Sequence, residues 1–224
     1  MTNQQPLTNT SQESSATNLT NILAYNEEFV NRHEYEQYLT DKYPDKKMVI
    51  FTCMDTRLVE LLPKAMNLRN GDVKIIKNAG AIISQPFGSV VRSVLVAIYE
   101  LEANEVVVVG HYECGMTGLN SERIVEKAKQ RGVDDLVLDT LTNSGIKLHH
   151  WLRGFDNVQE GVLNSVRILR NHPLLPGDIP VHGMIIDPTT GKLDLVADGY
   201  EYLEQKSKGF HSNHDLDDTT CTTR

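Results

Sequence analysis

Lys47-Met48-Val49-Ile50-Phe51-Thr52-Cys53-Met54-Asp55-Thr56-Arg57 begins as a strand and ends as a cluster of ligands and charges. Its first six residues are almost wholly apolar and follow Pro44, the pattern of a strand buried on both faces of a parallel sheet. Val73–Ile76, introduced by the turn Asn70-Gly71-Asp72, reads as a second strand, and Val106–Val109 as a third. Between these two, residues 86–103 carry an apolar stripe at helical spacing through Val90, Val91, Val94, Leu95, Ile98 and Leu101. Helices are also expected at 121–131, 137–153 and 157–171. A hairpin follows, with strands Val181–Ile186 and Leu193–Val196 joined through Asp187-Pro188-Thr189-Thr190-Gly191. The fold class is therefore α/β: a mostly parallel central sheet flanked by helices, closed by a C-terminal hairpin. An amphipathic stretch over 21–40, with Ile22, Tyr25, Phe29 and Val30 near the 3.6 period, supplies an N-terminal helical arm.

In such sheets the sites form beyond the carboxyl ends of the strands. Cys53 stands at the end of the first strand, and His111-Tyr112-Glu113-Cys114 at the end of the third. If those strands are neighbours, two thiols and one imidazole meet in one crevice. These are ligands that suit zinc, and three of them leave the fourth position for water, as in catalytic rather than structural sites. Zinc acidifies that water, making hydroxide available near neutral pH. Two thiolates work against this acidification, so hydrogen bonding beside the metal must compensate. Asp55 is placed to accept that bond and Arg57, with its rigid fork, to hold the carboxylate away from the metal. If the pair breaks, Asp55 becomes a fourth ligand and closes the site.

The remaining candidates read as structure. Asn78-Ala79-Gly80-Ala81 is a tight turn on the same edge, with Gly80 there for its backbone freedom. His149 and His150 read as a solvated helix face, His172 and His182 as structural, and Cys221 as a free thiol.

Composition narrows the function classes. The 224 residues carry a net charge of −8 without a basic block, which argues against nucleic acid and anionic membranes. No stretch is apolar for long enough to span a membrane, and Met1–Thr20 lacks the pattern of a signal peptide. Three cysteines are too few for a disulfide framework, so a cytoplasmic location is expected. By composition, 1–17 and 206–224 are flexible tails, leaving one domain over 18–205.

The combination Cys53-x-Asp55-x-Arg57, Asn78-Ala79-Gly80-Ala81 and His111-x-x-Cys114-Gly115-Met116 resembles the β-class carbonic anhydrases over about residues 20–200, and the hairpin Ile185–Leu193 resembles a compact bacterial subgroup of them. The resemblance implies one zinc per chain on Cys53, His111 and Cys114, an Asp55–Arg57 dyad, and reversible hydration of carbon dioxide to bicarbonate. It also implies a homodimer or a dimer of dimers, with the N-terminal helix on the partner subunit. Two other functions fit the same residues. Zinc hydroxide also attacks carbonyl sulfide or carbon disulfide, and a fourth fixed ligand, Cys221 or Asp55, would make a structural or zinc-sensing site.

Overall fold

The structure, a computed structural model, describes residues 17–214. The chain forms two units, one ending at Thr40 and one beginning at Asp41. In the first, α1 (Asn18–Asn31) starts at Thr17, whose hydroxyl accepts the Thr20 N–H at 3.3 Å. It stops earlier than its periodicity implies, because His33 adopts a left-handed conformation (φ 57°) and begins a short 3₁₀ turn over Glu34–Tyr38. No residue of α1 is buried.

The second unit is built on five strands: β1 (Met48–Cys53), β2 (Val73–Asn78), β3 (Glu105–His111), β4 (Val181–Ile186) and β5 (Leu193–Ala197). Their order is β2-β1-β3-β4-β5. The first four are mutually parallel, and β5 returns antiparallel to β4. Successive residues of β1 face opposite ways, yet Val49, Ile50 and Phe51 are all fully buried, because helices cover both faces. Val49 and Phe51 join Val106 and Val108 beneath α3 (Ser89–Tyr99) and α7 (Val158–Arg170). Ile50 joins Val107 and Val109 beneath Leu58 and Leu62 of α2 (Leu58–Ala65). Truncating Phe51 to alanine in such a core costs about 3–5 kcal/mol.

Three helices complete the loop region: α4 (Ser121–Gln130), α5 (Asp135–Asn143) and α6 (Leu148–Trp151). The single helix expected over 137–153 is thus two, broken where Gly145 takes φ 85°. The helix expected from Pro86 starts at Ser89, with Gly88 as its N-cap. At the C-terminal end α8 runs Gly199–His214, so 206–214 continues a helix where composition alone reads a tail. The segments 1–16 and 215–224, with Cys221, lie outside the described residues.

Candidate metal centre

β1 and β3 are hydrogen-bonded neighbours, in register from Met48 opposite Glu105 to Thr52 opposite Val109. Cys53 and His111 are the last residues of those two strands, so topology alone sets them side by side at the carboxyl edge. Cys114 reaches the same point because the chain reverses beyond β3. Glu113 takes φ 55°, and the Thr117 N–H closes the turn onto the Cys114 carbonyl at 2.9 Å.

The two Sγ atoms lie 3.9 Å apart, and the three donor atoms all fall within 4.8 Å of one another. Two thiolates bound to a tetrahedral zinc at about 2.3 Å are separated by about 3.8 Å. All three side chains are buried. The imidazole is aimed by its other nitrogen: Nδ1 lies 2.8 Å from the Tyr112 carbonyl, an acceptor, so Nδ1 carries the proton and Nε2 the lone pair. That Nε2 is buried without a hydrogen-bond partner. A buried unpaired lone pair beside two thiols is the defect a metal ion repairs, so these residues fit zinc. Among the described residues they are the one group of this kind.

The three donors also shift one another's protonation. A hydrogen bond from Cys114, opposed by burial, together with His111 and the N–H groups of Gly80 and Asp55, brings the Cys53 thiol down to about 4. Cys114, next to that thiolate, is pushed up, against a hydrogen bond from the Met116 N–H. Burial lowers His111, but Cys53, the Tyr112 carbonyl and Asp55 outweigh it and raise the imidazole. The backbone N–H groups on the two sulfurs draw off thiolate charge, which would make a metal held there a stronger Lewis acid. The Gly80 N–H is 3.3 Å from Cys53 Sγ, so the Asn78–Ala81 turn touches the centre directly. Gly80 sits at φ 79°, and a Cβ there would come within 2.8 Å of Met116 Cγ.

Asp55 and Arg57 stand beside the cluster. Arg57 Nε donates to Asp55 Oδ1 and Nη2 to Oδ2, each at 3.0 Å, and the Arg57 N–H adds a third bond to Oδ1 at 2.9 Å. The guanidinium, opposed by burial, holds the Asp55 carboxyl down to about 2. Asp55 Oδ2 lies 3.6 Å from His111 Nε2. Glu113 also engages Arg57, its carbonyl accepting from Nη2 at 3.2 Å and its carboxylate from Nη1 at 3.3 Å. Sequence reasoning missed Glu113 as it missed Tyr112, because both contacts depend on how the His111–Cys114 turn is bent. Three other candidate histidines have their own partners: His182 accepts from the Gly199 N–H at 3.0 Å, His172 from the Leu174 N–H at 3.2 Å, and His149 pairs with Ser121 Oγ at 3.1 Å.

The carbonic anhydrase family profile matches residues 48–193, which contain the whole cluster. Bacillus subtilis (strain 168) YvdA, whose name assigns it provisionally to the carbonic anhydrases, is 62% identical over 183 residues, covering 82% of this chain and 93% of YvdA. The crystal structure of β-carbonic anhydrase isoform I from Trichomonas vaginalis superposes with a TM-score of 0.76 at 33% identity, covering 83% of this chain and 100% of that one. The chain belongs to the β-carbonic anhydrase family. A carbon disulfide hydrolase of Acidithiobacillus thiooxidans is 29% identical over 157 residues, 66% of this chain and 76% of that one.

Proposed function

We propose that this β-carbonic anhydrase family member hydrates carbon dioxide reversibly to bicarbonate and a proton, at one zinc per chain held by Cys53, His111 and Cys114. The observation that carries this reading is the buried, unpartnered Nε2 of His111 beside two thiols, with the Asp55–Arg57 pair next to it. When bound there, zinc supplies a Lewis acid that makes water a nucleophile near neutral pH. The protein's own contribution is orientation. Asp55, with its carboxyl held at about 2, is an ionised acceptor at every working pH and not a proton store. It accepts a hydrogen bond from the attacking water and turns a lone pair toward the substrate carbon. Arg57 occupies both carboxylate oxygens, which keeps Asp55 from filling the fourth position itself. The released proton passes to solvent.

Carbon disulfide is a second linear electrophile open to the same attack, and the Acidithiobacillus relative named for its hydrolysis favours testing it. A substrate panel on zinc-quantified protein separates the two: rapid turnover of carbon dioxide with slow turnover of carbon disulfide and carbonyl sulfide supports the proposal, and the reverse order overturns it.

The proposal extends to a homodimer. The α1 residues Leu19, Ile22, Leu23 and Tyr25 are each at least 60% exposed, an apolar face on a helix with no buried residue. The second unit carries an apolar groove of about 560 Å³ along α3, lined by Phe87, Val91, Val96, Tyr99 and Leu174. A two-fold dimer lets each α1 fill the other copy's groove. The free thiols Cys53 and Cys114 fit a reducing compartment, so the cytoplasm is the proposed location. No described helix is long and apolar enough to cross a membrane.

A further inference from the structure

Tyr112, between the ligands His111 and Cys114, is tied down on three sides. Its carbonyl accepts the His111 Nδ1 proton at 2.8 Å, its N–H donates to the Ile186 carbonyl at 3.1 Å, and its hydroxyl donates to Asp194 Oδ2 at 3.0 Å. Asp194 lies on β5, opposite Ile185, and its other oxygen is 2.8 Å from Lys192 Nζ. β4 separates β3 from β5, so the tyrosine bridges from the end of one strand across the next to reach a third. Neighbouring strands are about 4.8 Å apart, so the span is about 10 Å, which the long tyrosine, the aspartate and the bond between them cover together.

This bridge has a mechanical consequence. The β3–β4 ladder ends with His111 opposite Ile186, and the Tyr112 N–H makes the last bond to that strand. Beyond it the turn carrying Cys114 leaves the sheet with Glu113 in a left-handed conformation. The carbonyl that fixes the tautomer and direction of His111 therefore belongs to the last residue with a sheet partner. We infer that Tyr112 and Asp194 are a positioning pair for the metal centre: the hydroxyl–carboxylate bond holds the Tyr112 peptide, and through it His111 Nε2, on the two thiols. The inference rests on the reading of His111 as a zinc ligand. Asp194 lies one residue beyond the stretch matched to the family. Neither residue touches the reacting atoms.

The test is the rate of zinc release from the full chain to a chromogenic chelator, with the visible spectrum of cobalt-substituted protein as a second readout. Tyr112→Phe and Asp194→Ala are each expected to release zinc roughly five-fold faster than wild type, below the ten-fold or more typical of a residue bonded directly to a ligand. Both are expected to alter the cobalt bands. Asp194→Asn keeps an acceptor for the hydroxyl and is expected to restore both readouts, and Lys192→Met, which leaves the tyrosine bond in place, to match wild type. Tyr112→Phe combined with Asp194→Ala is expected to equal either single change, because the two side chains act through one bond. The inference is overturned if both single variants release zinc within two-fold of wild type while His111→Ala loses it, whatever their melting temperatures. If His111→Ala itself retains zinc as wild type does, the ligand assignment falls first and the inference with it.

Discussion

Arg57 grips Asp55 by both oxygens, Nε to Oδ1 and Nη2 to Oδ2, each at 3.0 Å, and that same Oδ2 lies 3.6 Å from His111 Nε2. The two residues are separated by only one position, and the Arg57 N–H reinforces the clasp at 2.9 Å. In the proposed mechanism this pair sets whether Asp55 serves a water or becomes a ligand.

Arg57→Ala is therefore expected to retain zinc and to lose on the order of 100-fold in turnover, as Asp55 becomes free to close the metal. Arg57→Lys is expected to recover little, because an ammonium is a point charge and does not span both oxygens. Zinc content and steady-state rates on the same preparations check this. Wild-type turnover in both variants would remove the clasp from the mechanism.

The three ligand positions are expected to behave oppositely. Cys53→Ser, Cys114→Ser and His111→Ala should each lower zinc occupancy and depress the melting temperature together, since binding energy at such a site is also folding energy. Metal analysis and thermal melts with and without added zinc give the comparison. Full occupancy in any of the three would exclude that residue as a ligand.

Gly80→Ala is expected to destabilise the fold by about 1–3 kcal/mol. The residue holds φ 79°, and its new Cβ would meet Met116 Cγ at 2.8 Å. Urea unfolding measures the loss, and an unchanged midpoint would contradict the tight seat assigned to this turn beside Cys53.

Asp55 also leaves a mark on acid stability. Its carboxyl sits at about 2 in the fold against an ordinary 3.8, so the unfolded chain binds the proton more readily. The stabilisation this provides is complete above about pH 4 and fades as pH falls through about 2. Unfolding of wild type and Asp55→Asn, both kept in chelator, should differ by a constant amount above pH ~5, with the gap narrowing below pH ~4 and closing only below pH ~2. A gap that does not change with pH would contradict the Arg57 clasp as its source.

Much of this arrangement was legible in the residue order, for physical reasons. β1 and β3 are buried on both faces and read as near-continuous apolar runs, and their adjacency brings Cys53 to His111 without further information. The Asp55–Arg57 pair was legible because residues so close in sequence at a strand end have few other places to go. The helix α2 was not foreseen, since Pro63 lies inside it and only Leu58 and Leu62 are buried. The break between α5 and α6 turns on the backbone of Gly145, and α8 is too polar for a periodic stripe to announce it. Glu113 and Tyr112 escaped because their partners, Arg57 and Asp194, are distant in sequence and meet them only once the turn after β3 has formed.

The most direct test is stopped-flow hydration of carbon dioxide by zinc-quantified protein from pH ~6.5 to ~9, with Asp55→Asn in parallel. Hydration is expected to be proportional to bound zinc, abolished by chelation and restored by zinc, and reduced on the order of 100-fold in Asp55→Asn at unchanged zinc content. One zinc per chain with no hydration at any pH in that range, or full activity in the variant, would contradict it.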